Sequence, residues 1–451
     1  MARLLVKNVD LLATFDDARR EIADGAMLVD GNVIAAVGTT AELSGLEADR
    51  VLDLSGHVVM PGMVNTHHHM YQNLTRVMVQ DDELLVWLKT LYPIWARLDD
   101  DAIRISAKVA MAELIHSGCT TSSDHLYILP NNCTLDSSIE AAQEMGLRFH
   151  AARGAMSRGE SQGGLPPDSC VENEDAILKD AERLIGRYHD ASRHSMSRIV
   201  LAPCSPFSVT PDLMRDAAAL ARSHPGVRLH SHLAEDLFEE TYCHDIYGMR
   251  PVEFAESVGW LGDDVWFAHS IFMTSAEIDR FAVTGTGVAH CPSANMRCGQ
   301  GIAKVREMLD KGVKVGLGVD GSASNDNSNL MESLRHALML GRLKYGAEAI
   351  THLDVLRWGT EGSARCLGRS DIGTIAVGKQ ADLALFDLNA LRFSGAGDPL
   401  AALVLCGAHS ADRVMVGGRW TVEDGLPVGL DLARLRHEHG AAARQFLETV
   451  Q

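Results

Sequence analysis

The 451-residue chain has no C-x-x-C pair among its nine cysteines, which removes a disulfide framework and a zinc ribbon as organising devices. An odd, scattered set suits a reducing compartment. No apolar run approaches the length of a membrane span. Residues 1–10 form a short amphipathic run soon interrupted by Asp16 and Asp17, so no signal peptide is expected and the cytoplasm is the default location. Positive charge is also short: 41 Lys and Arg face 60 Asp and Glu, a net charge of −19. That balance argues against non-specific binding to nucleic acid or to an anionic membrane. The expected partner is a small molecule, with a homo-oligomer left open. Hydrophobic content of 46% with 22% charged residues describes an ordinary globular enzyme or binding protein.

Against these scarcities stands one dense stretch, Val58-Val59-Met60-Pro61-Gly62-Met63-Val64-Asn65-Thr66-His67-His68-His69. It begins as an apolar, β-branched run and ends in three histidines. Such a run reads as a buried strand over residues 58–65 whose end emerges at a surface. Side chains alternate along a strand, so His67 and His69 face one way and His68 the other. Two imidazoles on one side can grip a single cation at about 2.0–2.1 Å per Zn–N bond. The alternative is a chance cluster or an expression tag, but a tag sits in a flexible terminus, not behind a buried strand.

Short strand-like runs fill the first part of the chain, at 4–6, 26–29, 33–37 and 50–54, with Asp30-Gly31-Asn32 as a hairpin signal and one short helix near 40–46. The same texture returns at 381–386, 413–416 and 419–422. Together they predict a small β-sandwich built from both ends, residues 1–57 and 371–451, with a closing helix over 432–450. Residues 58–370 instead repeat an apolar strand, a polar residue or two, and a helix. Strands are expected at 58–65, 120–124, 148–152, 199–202, 228–231, 265–268, 286–289 and 314–319. The helix over 101–116 stops at Gly118, Thr210-Pro211 opens 212–222, and Thr274 with Glu277 forms a capping box before 278–282. Eight such units predict an α/β fold, a (β/α)8 TIM-like barrel, with its chemistry at the C-terminal ends of the strands.

Those ends carry a consistent set. Strand one ends in His67 and His69, strand five in His230-Ser231-His232-Leu233-Ala234-Glu235, strand six in His269 and strand eight in Asp320. Histidines with an aspartate make a nitrogen-rich site for zinc or iron(II) rather than magnesium or calcium. One such residue is ordinarily structural, but a barrel core has no need of polar groups converging on one rim.

The stretches Pro61-Gly62-Met63-Val64-Asn65-Thr66-His67-His68-His69, His232-Leu233-Ala234-Glu235, Ala268-His269-Ser270 and Gly318-Val319-Asp320-Gly321 resemble the amidohydrolase superfamily. The resemblance covers nearly the whole chain. It implies that His67, His69, His232 and Asp320 hold the metal. Two-metal members add a carboxylated lysine ending strand four. Here that end reads Ala202-Pro203-Cys204-Ser205, which implies one divalent ion per chain, most simply zinc with iron(II) as the alternative. Glu235 looks like the glutamate of the His-x-x-Glu motif in the deaminase branch, implying a proton carrier rather than a ligand. Asp320 can also accept the proton of the attacking water, and His269 can orient that water or the developing oxyanion.

A finer resemblance, to 8-oxoguanine deaminases and their relatives the triazine hydrolases and guanine-type deaminases, rests on four stretches. These are Tyr71-Gln72-Asn73-Leu74-Thr75-Arg76, residues 91–98, residues 157–164 and Gly321-Ser322-Ala323-Ser324-Asn325-Asp326. It implies hydrolytic deamination of an aminated heterocycle, with 8-oxoguanine converted to urate and ammonia. Guanine deamination and s-triazine amino- or chlorohydrolysis remain the alternatives. Some triazine chlorohydrolase-like members lack the His-x-x-Glu glutamate, so Glu235 favours deamination. A non-catalytic scaffold of the same fold is the remote alternative, and it needs none of these side chains. Gln72 can read an amide edge of a purine, and Trp95, like Trp87, can stack on a flat ring or anchor its own segment. Cys204 can line the pocket but has no motif that would make it a nucleophile. His125 and His290, ending strands two and seven, receive no firm role.

Overall fold

The structure, a computed structural model, describes residues 3–448. Eight parallel strands form one sheet in sequence order: Met63–Asn65, Cys119–Leu126, Arg148–Ala155, Ser197–Pro203, Arg228–Leu233, Val265–His269, Gly287–His290 and Lys314–Leu317. The Thr66 amide donates to the Leu317 carbonyl at 2.9 Å, and the Asp320 amide to the His67 carbonyl at 3.1 Å. These bonds join the last strand to the first and close the barrel. Register then sets the rim, because Leu233 pairs with His269 and His290 with Leu317.

The connecting helices follow their capping chemistry. Asp99 caps Asp100–His116, and Gly118 beyond its end takes a left-handed φ of +102°. Thr210 accepts from the Leu213 amide and Pro211 occupies the first turn of Pro211–Ser223. The capping box of Thr274 and Glu277 is complete.

A second sheet of nine strands draws on both ends of the chain. The strands Arg3–Ala13, Glu21–Asp30, Val33–Thr39, Arg50–Asp53 and His57–Pro61 come from the first part. Leu383–Asp387, Arg413–Val416, Arg419–Glu423 and Leu426–Pro427 come from the last. The two sets meet where His57–Pro61 runs antiparallel to Leu383–Asp387. A bridge between Val33 and Gln380 brings the far edge back, folding the sheet around a core that includes Val6, Val29, Ile34, Leu383 and Met415. Buried Arg148, on the third barrel strand, donates to Asp382 at 2.9 Å and to Gln380 at 3.1 Å and ties the two sheets together.

Two readings of the sequence need correction. The apolar run over 58–65 is not one strand. His57–Pro61 belongs to the nine-stranded sheet and Met63–Asn65 opens the barrel, with Pro61-Gly62 as the crossing point. Gly62 is required there, because a Cβ would lie 2.2 Å from the Thr120 side chain. Residues 318–319 lie beyond the last barrel strand, which stops at Leu317, and the chain turns there to present Asp320. The closing helix is Leu432–Glu448, and the end of the range read from sequence lies outside the described residues. No described helix is long and apolar enough to cross a membrane. Eight of the nine cysteines are buried and all are unpaired.

Candidate metal and catalytic site

The strand ends bring His67, His69, His232, His269, Glu235 and Asp320 to one place on the barrel rim, none of them more than 8% exposed. His67 Nε2 lies 3.2 Å and His69 Nε2 3.3 Å from Asp320 Oδ1. His69 Nε2 and His232 Nε2 are 3.2 Å apart. His269 Nε2 stands 3.4 Å from Glu235 Oε1 and 3.9 Å from Asp320 Oδ2. Three overlapping groups of side chains hold ligand atoms within 4.8 Å of one another here: His67, His69, His125 and His232; His67, His269 and Cys291; His232, Glu235 and His269.

Outer partners decide which nitrogen of each ring carries the hydrogen. His69 Nδ1 donates to the His125 carbonyl at 2.7 Å, and His232 Nδ1 to the Cys204 carbonyl at 2.7 Å. His230 Nδ1 donates to the Trp266 carbonyl at 2.9 Å, so its Nε2 accepts from His67 Nδ1 at 2.8 Å. Carbonyls cannot donate, and burial holds His67, His69, His230 and His232 below the ordinary imidazole value, therefore neutral. Each inward Nε2 of His67, His69 and His232 is thus a bare lone pair, and that of His67 has no hydrogen-bond partner. Lone pairs aimed at one another around a carboxylate repel unless a cation sits among them. Tetrahedral zinc with Zn–N bonds of about 2.0–2.1 Å spaces its nitrogens about 3.3 Å apart, the scale found here. The donor set fits a borderline-soft divalent ion.

The backbone is strained where these groups leave their strands. Ala234, His269, Ser270 and Asp320 adopt left-handed φ of +51°, +66°, +50° and +65°, uncommon outside glycine. Glu239 supports one of these turns: its buried carboxylate accepts the Ala234 and Glu235 amides, each at 2.9 Å. Glu235 is therefore not a solvated carboxylate at a helix start. Burial pushes its carboxyl up, opposed by His269. Burial pulls His269 down, but the Glu235 and Asp320 charges beside it leave it above the usual imidazole value. Asp320 is buried beside these rings, and its Oδ2 accepts from the Ser324 hydroxyl at 3.0 Å.

A small cavity opens onto this cluster. Its walls include Gln72, Trp87, Tyr92, Tyr127, Cys204 and Gln300. Gln72 is fully buried and its Oε1 has no partner. Burial pushes the Cys204 thiol up, so it stays protonated, while the Cys204 carbonyl orients His232. Trp95 does not line the cavity, which corrects its reading as a ring contact. It is fully buried, donates to the Thr75 hydroxyl at 3.1 Å and packs edge-on against Tyr71 and Trp87, so it anchors the wall from behind. Residues 157–164 also lie outside the lining.

Several residues escaped the sequence. His230 shares a strand face with His232 two positions on, a signal that was available. His125 was given no firm role, yet its Nδ1 is buried without a partner and its ring stacks on His232 at 5.0 Å between centroids. Asn295 Oδ1 accepts from His269 Nδ1 at 2.9 Å, and Gln300 Nε2 donates to Glu235 Oε1 at 2.8 Å. Neither lies in a motif.

Residues 58–421 match the model of the amidohydrolase family. The chain is 51% identical to an 8-oxoguanine deaminase of Pseudomonas aeruginosa, over 99% of this chain and all of that protein. It is 37% identical to an isoxanthopterin deaminase of an unknown prokaryotic organism, over 99% of this chain and 98% of the other. The crystal structure of atrazine chlorohydrolase from Arthrobacter aurescens complexed with zinc superposes with a TM-score of 0.92 at 34% identity, covering 98% of this chain and all of that one. A strand-end histidine cluster in a closed barrel and matches over nearly the whole length lead to one conclusion: the chain is a member of the amidohydrolase family.

Proposed function

We propose that the protein deaminates 8-oxoguanine hydrolytically, giving urate and ammonia, with one divalent cation per chain held by His67, His69, His232 and Asp320. The observation that carries this reading is the buried Glu235 carboxyl, set against His269 and with a ring nitrogen of His232 within 4.8 Å. A carboxyl kept out of water next to a cation site suits proton delivery, not cation binding. The choice of ring rests on the 51% identity to an 8-oxoguanine deaminase across both full lengths. Zinc is favoured by the nitrogen-rich donor set and by the zinc-bound structural neighbour. Cytoplasmic placement belongs to the same reading.

When bound there, a divalent cation supplies Lewis-acid activation of water near neutral pH. The chain's own groups do the rest. Asp320, steadied by Ser324, takes the proton of the attacking water. Two ring nitrogens flank the amine-bearing carbon of 8-oxoguanine, and N1 already carries a hydrogen in the lactam form. Glu235 therefore protonates the bare N3 as water adds to the carbon. Asp320 then passes the proton it took from the water to the departing amine, and Glu235 recovers the proton that the new hydroxyl releases as the carbonyl forms. His269, fixed by Asn295, faces the same carbon and can hydrogen-bond its new oxygen.

Metal-replete enzyme offered 8-oxoguanine, guanine, isoxanthopterin and an s-triazine in parallel tests the proposal. Ammonia and urate in equal amounts from 8-oxoguanine support it. An inert 8-oxoguanine beside a reacting competitor contradicts it.

Two metal predictions follow from the ring orientations. Alanine at His67, His69 or His232 removes an inward nitrogen, and elemental analysis of the purified variant should show the ion largely lost. His230→Leu leaves every proposed ligand in place but removes the acceptor for His67 Nδ1. Metal affinity should weaken by about 10–100-fold in a competitive chelator titration. Unchanged affinity would show that His230 does not fix the His67 ring.

A further inference from the structure

Gln300 stands in the cavity wall, 7% exposed, on a turn flanked by Gly299 and Gly301 at φ of +64° and +136°. Its amide donates to the Asn295 carbonyl at 3.0 Å, and the Asn295 side chain accepts from His269. The short helix Pro292–Arg297 and the turn after it therefore hold both His269 and Gln300. The side chain is oriented by chemistry. Nε2 donates to Glu235 Oε1 at 2.8 Å, an oxygen that accepts both in the carboxylate and in the acid whose proton sits on Oε2. That contact fixes Oε1 as the remaining end of the carboxamide, and Oε1 is buried with no partner. An unmet buried acceptor is costly unless a ligand meets it.

We propose that Gln300 is a substrate-reading residue: while Nε2 holds Glu235, Oε1 accepts a ring N–H next to the nitrogen that Glu235 protonates. The inference rests on the deamination of 8-oxoguanine proposed above. With Glu235 serving N3, the neighbouring donor across C4 is N9–H on the five-membered ring. Gln300 thereby couples recognition to proton delivery, since a ring lacking that N–H leaves Oε1 unmet and sits poorly against Glu235. The substrate class is a fused bicyclic amidine with a free N–H at this position, and N9-substituted purines, nucleosides included, are excluded.

The experiment compares 8-oxoguanine with 9-methyl-8-oxoguanine on the wild type, Gln300→Ala and Gln300→Leu, the last retaining most of the side-chain volume. The wild type should prefer the unmethylated ring by about 100-fold or more in kcat/KM. Both variants should keep their metal and melting temperature, lose about 10- to 100-fold on 8-oxoguanine, and shrink the methyl penalty to within about fivefold. The inference is overturned if the variants match the wild type on 8-oxoguanine or keep the methyl penalty undiminished. It is also overturned, whatever the variants do, if the wild type accepts both rings equally. A wild type inert toward 8-oxoguanine would instead overturn the functional reading on which the inference rests.

Discussion

Glu235→Gln is expected to keep its full complement of metal and to lose about 10²–10⁴ in kcat, the usual contribution of a positioned acid or base. The substitution is close to isosteric and leaves His67, His69, His232 and Asp320 untouched. What it removes is the transferable proton on a carboxyl that burial holds above the ordinary range. Glutamine can still receive the Gln300 Nε2 hydrogen on its oxygen, so the packing of the wall should survive. The loss should fall on kcat more than on KM, because the proton is needed as water adds and not when the ring binds. Metal analysis and steady-state kinetics on one preparation check this. A variant depleted of metal would make Glu235 a ligand, and a variant of undiminished kcat would move proton delivery to another group.

The second large effect is discrimination between 8-oxoguanine and guanine, expected at about 10⁴ in kcat/KM. The argument rests on two buried carboxamide oxygens in one cavity wall, Gln72 Oε1 and Gln300 Oε1, neither with a partner. Both are acceptors and require N–H groups. 8-Oxoguanine carries hydrogen on both N7 and N9, whereas guanine carries it on one of the two. Guanine therefore leaves one oxygen facing a lone pair. Ammonia release from the two purines, followed side by side over a range of concentrations, gives the ratio. A ratio near one would mean that the pocket reads only the six-membered ring common to both.

Much of the fold was legible because its signals are local. The strand–helix alternation, the caps at Thr210 and Thr274 and the hairpin at Gly31-Asn32 depend on neighbours in sequence, and the structure contains each. The break at Pro61-Gly62 was harder to see. Residues on both sides are apolar and fully buried, so hydrophobicity runs on unchanged while the chain leaves one sheet for the other. Only the close approach of Gly62 to Thr120, a long-range contact, shows why the crossing is there.

The candidate site divides in the same way. Side chains at strand ends are placed by the barrel itself, so His67, His69, His232 and Asp320 could be gathered at one rim from sequence, while their reading as the metal-holding set came from the family resemblance. The cavity walls come from connecting segments whose paths no periodicity encodes. Trp87 and Trp95 both sit in the helix Leu84–Trp95, yet only the first lines the cavity, because the helix turns the second toward Tyr71 and Thr75. Asn295, Gln300 and Glu239 act through hydrogen bonds to partners brought near by folding, and nothing in their immediate sequence announces those partners.

Metal-free enzyme titrated with zinc, with urate formation from 8-oxoguanine recorded at each addition, tests the central claim most directly. One ion among His67, His69, His232 and Asp320 predicts that activity rises in proportion to zinc and breaks sharply at one equivalent per chain. A break at two equivalents, or urate formed at full rate before any zinc is added, would contradict it.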